Sequence, residues 1–291
     1  MNYLWQKFGP VISVVLAIFA FWYVMAVVLN SPWTIDKLER SGGTMSVIEH
    51  ITDTWSQKKP KLPAPHQVVV EIWNTTAMKA ITSKRSLVFH GAITLSSTLL
   101  GFALGAVLGI VLAVGIVHNK AMNLSVMPWV IASQTIPILA IAPMIIVVLN
   151  AVGISGLLPK AIISMYLSFF PVVVGMVKGL RAPDAMQMDQ MRTWNASKWT
   201  TFWSLRWPSS VPYLFPSLKI GVAAALVGAI VAELPTGAVR GLGARLLAGS
   251  YYGQTIQIWS ALLVAAALAA SLVMIIAEIE KFTLRKMGMG S

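Results

Sequence analysis

The feature that most limits what this chain can fold into is a series of long apolar runs almost free of charge. Phe8–Leu29 follows Lys7 and holds no formal charge, and neither do Ser86–Asn119 and Ala121–Asn150. A helix of about 20 apolar residues crosses the roughly 30 Å hydrocarbon core of a bilayer. Six spans are expected: Pro10–Leu29, a segment within Ser86–Asn119, Ala121–Asn150, Ile154–Val177, Pro208–Leu234 and Ile256–Ala277. Lys160 precedes the charge-free part of the fourth and is expected to snorkel outward. The first run is too long for a signal-peptide core and lacks a clear small-x-small site after it, so it is expected to stay as a span. The fold class is therefore an all-α integral membrane protein. Of 291 residues, 57% are hydrophobic and only 11% charged, against about 25% in soluble domains.

The net charge of +12 points to anionic headgroups and a cytoplasmic partner rather than nucleic acid, because the cations lie between apolar runs. Among the short loops, ten Lys and Arg fall on the side that holds both termini, and three on the other. Both termini and the 178–206 connection are therefore expected in the cytoplasm. The chain divides into residues 1–29 (first span), 30–85 (a polar outer loop), 86–280 (five further spans, with a cytoplasmic loop at 179–207) and 281–291 (a basic tail). Within 30–85, "KKPKLPAP" is turn-like, and "HQVVVEIWNTTAMKAI" is either an amphipathic helix on the interface or a solvated loop.

With no cysteine, disulfides and thiol chemistry are excluded. Histidines 50, 66, 90 and 118 have no ligand spacing and suit loop or interface positions, so no metal site is expected. No GxxxxGK[ST] loop occurs, so any ATP must bind another chain.

Several polar groups sit at membrane depth. Gly101, Gly105 and Gly109 line one helix face, for plain packing or for a close contact beside a pathway. The third span carries "SQTIPILAIAP"; Gln134, Thr135 and Pro137 mark it as a path-lining helix or a kinked one. Lys219 either snorkels or faces protein. Glu233 either lines an outward mouth or is an interfacial carboxylate paired nearby. Tyr251 and Tyr252 belong to a compact outer segment rich in glycine (Gly237, Gly241, Gly243, Gly249, Gly253), and face either the interface or a partner.

The segment "RAPDAMQMDQMRTWNASKWTTFWSLRWP", Arg181–Pro208, departs most from membrane composition. Pro183 suits a first helical turn, and Asp184 and Asp189 suit its N-terminal half. Asn195 suits a left-handed turn. A second short helix is expected before Pro208 starts the next span. Trp194, Trp199, Phe202, Trp203 and Trp207 can anchor in the interface or fill a partner's pocket.

This segment resembles the cytoplasmic signature of permease subunits of binding-protein-dependent ABC importers: Glu-Ala-Ala, three residues, Gly, nine residues, Ile-x-Leu-Pro. Asp189 stands at the acid, Asn195 at the glycine, Leu205 at the isoleucine and Pro208 at the proline, while Gln190, Met191 and Trp207 depart from the pattern. The continuation from "NASKWTTFWSL" to "GAIVAE", with "QTIPILAIAP", "SFFP" and "LPAPHQV", is similar to the subgroup that imports nitrate, sulfonates, taurine, bicarbonate and pyrimidine-type compounds. The Trp/Phe-Gly pair usual after the third span is not clear in "VVLNAVGISG", and residues 30–60 match nothing in the family. The resemblance implies a type I importer permease in a bacterial inner membrane and no catalytic residue of its own. It also implies a second permease subunit, a copy or a paralogue, two ATPase subunits carrying ATP and Mg, and a periplasmic or lipid-anchored binding protein. The helix from Pro183 to Thr193 would be the coupling helix, with Asp184, Asp189, Arg192, Trp194, Asn195 and Pro208 at the ATPase contact. The outer segment resembles most the permeases of pyrimidine or thiamine-precursor uptake. The rivals are an ion-coupled secondary transporter, which should show inverted repeats and mid-membrane carboxylates, and a non-transporting scaffold.

Overall fold

The computed structural model describes residues 2–235 and 240–289, with side chains from residue 9 onward. Every regular element among them is helical: α1 (Asn2–Ser41), α2 (Val47–Ser56), α3 (Pro65–Thr76), α4 (Leu87–His118), α5 (Lys120–Ala132), α6 (Ile138–Ala151), α7 (Leu157–Leu180), α8 (Ala185–Thr193), α9 (Lys198–Thr201), α10 (Trp207–Glu233), α11 (Leu242–Tyr251) and α12 (Thr255–Lys286). Two compact units form, one from Met1–Phe89 with Arg245–Val264, the other from His90–Ala244 with Ala265–Ser291.

In the first unit, α1 does not stop where its apolar run stops. It continues twelve residues past Leu29, about 18 Å of helix, and ends at Gly42 with φ +64°. Pro32 lies inside it; the Ser31 hydroxyl donates to the Val27 carbonyl at 2.6 Å, one turn back. Residues 30–85, expected as a polar loop with an amphipathic helix as one alternative in its second half, are largely helical. Ser46 and Glu49 form a reciprocal capping box that starts α2. Pro65 opens α3, which takes up most of "HQVVVEIWNTTAMKAI". Buried Asn30 joins these pieces: its amide donates to the Thr54 and Leu62 carbonyls and accepts from the Lys61 and Leu62 N–H groups. Trp22 packs on Trp259 at 4.8 Å and donates to the Pro63 carbonyl.

In the second unit, α7 is the central rod, and small residues set its register on both sides. Along α4, Gly101, Gly105 and Gly109 face Ser164, Ser168 and Val172 in rising order, so α4 and α7 run parallel. Along α10, Ser217 sits on Gly175 and Ser210 on Gly179, while Gly228 sits on Ser164, so α7 and α10 run antiparallel. A Cβ at Gly101 or Gly175 would overlap the facing serine. The three glycines of α4 are thus packing residues. Ser164 donates across to the Ala225 carbonyl at 2.9 Å.

The parallel register has a topological consequence. α5 and α6, each short of a full span, meet at a 103° bend. Because α4 and α7 point the same way, the chain must cross between them, so the bent pair is one broken span rather than a re-entrant loop. With α1, α4, α7, α10 and α12 it makes six. The third span is thus broken, a larger departure than a kink. Of the two alternatives for Lys219, the structure bears out the protein-facing one: it pairs with Glu280 on α12. Outward faces of the spans remain apolar (Val107, Val111, Ile220, Val227, Met274), as lipid or a partner subunit requires.

Candidate coupling segment and membrane polar sites

The α7–α10 connection is built as a stiff projection. Asp184 caps α8: its carboxylate accepts from the Gln187 N–H at 2.7 Å, and the Gln187 side chain accepts from the Asp184 N–H at 3.1 Å. Pro183 therefore precedes the cap and is not in the first turn as expected, because Asp184 supplies the better capping acceptor. At the other end Asn195 adopts φ +51°, the only non-glycine positive φ among the described residues. Its N–H donates to the Arg192 carbonyl, and that of Ala196 to the Met191 carbonyl, a Schellman closure with asparagine in the glycine position. Ser197 then caps α9. The second short helix, expected as a separate element before a span that starts at Pro208, is continuous with that span. It runs through a wide turn at Phe202–Arg206 into α10. Pro208 lacks an N–H and its ring crowds the carbonyl four residues back, which a widened turn accommodates.

The projection is tied at its base and bare at its tip. Arg206 donates to the Leu180 carbonyl at the end of α7, Arg181 to Asn123 at 2.9 Å, and Lys178 lies over the Tyr213 ring. No side chain of α8 is buried. Asp184, Asp189, Arg192, Trp194 and Asn195 are exposed, and Pro208 is half-buried. Asp189 and Arg192 pair at 3.0 Å on the surface. The aromatics divide: Phe202 is buried against Trp207 and His118, whereas Trp194, Trp199 and Trp203 are exposed. Val114, His118, Lys198, Trp199 and Phe202 line a cleft of about 180 Å3 beneath them.

The membrane polar groups fall into two sites, not one. Gln134, Thr135 and Pro137 occupy the break between α5 and α6, and all three are exposed. The Ser133 carbonyl, freed by the break, accepts from the Tyr166 hydroxyl on α7, and the Thr135 hydroxyl returns to the Ala132 carbonyl. Protein thus satisfies backbone that lipid could not.

Glu233 lies elsewhere, at the end of α10, and is fully buried. Its carboxylate accepts from the Thr94 hydroxyl at 3.0 Å and the Gly243 N–H at 2.8 Å, with Lys160 at 3.9 Å. Thr94 in turn accepts from the Leu242 N–H at 2.8 Å, and His90 Nδ1 from the Gly241 N–H at 2.9 Å. The carboxyl group therefore caps the start of α11, at the positive end of that helix. Gly241, at φ +121°, leaves no space for a side chain against it. Lys160 turns inward, not outward as expected, and donates to the Arg240 carbonyl as well. His90 is a core residue rather than a loop or interface one, because it holds a backbone N–H that burial would otherwise leave unmet. Thr94 had no distinguishing signal in its run. Tyr251 and Tyr252 are exposed in the first unit, where Lys59 donates to the Tyr252 carbonyl. Gly237 lies outside the described residues.

Residues 105–280 match the family described as the binding-protein-dependent transport system inner membrane component. The chain belongs to that family. The matched range takes in the broken span, the α7–α10 projection, Glu233 and most of α12. Among curated relatives, the formylaminopyrimidine transport permease protein ThiX of Halalkalibacterium halodurans is 35% identical over 62% of this chain and 68% of its own length. The riboflavin transport system permease protein RibX of Chloroflexus aurantiacus is 28% identical over 77% of this chain and 80% of its own. The nitrate import permease protein NrtB of Synechocystis is 28% identical over 52% and 53%. The permease is thus a multi-pass ABC importer subunit for small solutes, of the sulfonate, nitrate and pyrimidine subgroup.

Proposed function

We propose that this permease couples a separate ATPase to solute entry through α8, as the membrane subunit of an ATP-driven importer in a bacterial inner membrane. The observation that carries this reading is a helix capped at both ends, buried nowhere, on a base tied to the ends of α7 and α10. Such an element moves as a rigid lever once a partner grips it, and the antiparallel α7–α10 pair receives the displacement. Asp184 and Asn195 hold its ends. Asp189, Arg192 and Trp194 are the side chains it offers, and Pro208 marks its entry into the span. ATP and Mg would act on two ATPase subunits, and a second permease, a copy of this chain, would complete the pathway. A periplasmic or lipid-anchored binding protein would deliver solute from the other side. The distribution of Lys and Arg among short loops supports cytoplasmic termini.

For the pathway, Gln134, Thr135 and Pro137 are favoured over Glu233. They are exposed at a break in a span, whereas Glu233 is enclosed. A pyrimidine-type or thiamine-precursor solute is favoured by the relative that transports formylaminopyrimidine, whose identity of 35% exceeds the 28% of the nitrate permease. The test is co-purification of an ATPase subunit with the permease from its native membrane, before and after deletion of Ala185–Arg192. Loss of the ATPase, with the permease still inserted, is the expected result. An ATPase that stays bound sinks the coupling role.

A further inference from the structure

The import cycle just described leaves α2, α3 and the last turns of α1 without a task, and they precede the matched family residues. Within that first unit lies a recess of about 550 Å3, whose lining includes Trp33, Lys37, Asp53, Gln57, Lys58 and Lys59. A neighbouring recess of about 330 Å3 shares Trp33 and Lys37 and adds Asp36 and Arg40. Together they have the size of a small-molecule site.

The recess is preformed. Gln57, almost fully buried, donates to the Asn30 carbonyl and the Thr34 hydroxyl, and Gln67 donates to the Gln57 carbonyl. Asp53, the acid of the larger recess, is already matched: Lys37 donates to it at 2.8 Å and Thr34 at 2.9 Å. The hydrogen bond from Lys37 holds its carboxyl below the usual range. Lys58, Lys59 and Arg40 make no ion pair among the described residues. Against Asp36, the lining acid without an ion pair among the described residues, these three cations leave a surplus of two positive charges around recesses that share an indole wall 53% exposed.

Depth identifies the occupant. The charge-free run of α1 ends at Leu29, so Trp33 stands where hydrocarbon gives way to headgroups. Lys37 and Arg40 follow about 6 and 10 Å farther along the helix, at headgroup level. The same unit exposes apolar side chains that water would disfavour: Val47 and Ile48 at 77% and 75% on α2, and Val69, Val70 and Trp73 on α3. A collar lying in the interface seats them among acyl chains.

We propose that this recess binds the phosphate headgroup of an anionic phospholipid, with Lys58, Lys59 and Arg40 neutralising the phosphate and Trp33 flanking the glycerol. The assignment holds for either leaflet, so it does not depend on the orientation proposed above. The test uses the full-length permease in neutral detergent, titrated with phosphatidylglycerol or phosphatidylcholine, with retained lipid counted by native mass spectrometry. Wild type is expected to retain phosphatidylglycerol selectively. Lys58→Gln/Lys59→Gln, with the fold checked by its melting temperature in phosphatidylcholine, is expected to hold it about thirtyfold more weakly. Lys58→Glu/Lys59→Glu is expected to abolish selectivity. Equal retention by wild type and both variants overturns the proposal. Displacement of the lipid by millimolar glycerol phosphate would move the site to a soluble phosphate ester and overturn the lipid assignment. Variants that lose a binding-protein complex while keeping phosphatidylglycerol would mark a protein-docking face, and overturn it too.

Discussion

The α8 projection and the Glu233 node are both polar insertions in a greasy chain, and their construction is opposite. Around α8 each polar group is satisfied by a neighbour a few residues away: Asp184 by Gln187, Asn195 by Arg192, Arg192 by Asp189. Around Glu233 the partners come from three other helices, Thr94 on α4, Lys160 on α7 and Gly243 on α11, so that with α10 the node joins four elements. A locally satisfied element stays folded while its surroundings move. A node that spans four elements holds them in one arrangement. On the proposed coupling role, the first is the part that moves and the second the part that stays fixed.

The largest effect expected from this contrast is at the node. Glu233→Leu leaves Lys160, Thr94 and the Gly243 N–H without their shared acceptor, and should destabilise the second unit by about 3 kcal/mol. A fall in melting temperature in detergent checks it; Glu233→Gln, which keeps an acceptor oxygen, should recover part of the loss. An unchanged melting temperature for Glu233→Leu would erase the distinction between the two regions. A smaller effect is expected at the turn after α8. Asn195→Ala forces a Cβ-bearing, non-polar residue into φ > 0 and should cost about 1 kcal/mol, whereas Asn195→Gly should be neutral. The sharper readout is coupling: Asn195→Ala should lower solute-stimulated ATP turnover in the reconstituted complex, with Asn195→Gly near wild type. The smallest stability effect belongs to the exposed pair. Arg192→Ala should change stability by less than about 0.5 kcal/mol, yet weaken ATPase binding in a pull-down. A variant that melts early but binds the ATPase normally would show that α8 supports the fold rather than the contact.

The two regions also differ in how much could be read before any coordinates. The turn at Asn195, the acidic residue that starts α8 and its exposed character follow from residues within a dozen positions of one another. The three glycines of α4 announced a close contact, though not that α7 would supply the serines. By contrast, Glu233 and Thr94 stand 139 positions apart. Periodicity in the apolar run around Thr94 gave no reason to single it out, and Lys160 looked like a residue aimed at solvent. The helix at 65–76 was one of the two alternatives the sequence left open, whereas that at 47–56 was not singled out within the polar stretch; the prolines between them lie at or outside the helix ends.

From the sequence alone came the number of crossings, the family resemblance and the projecting helix, because apolar run length, motif spacing and turn chemistry act over short distances along the chain. Whether the third span returns or crosses, which glycine meets which serine, and what neutralises a carboxylate inside the bundle were decided only when the rods packed. Those outcomes depend on helix register, and register is set by contacts among residues that are remote in the chain and close only in the folded unit.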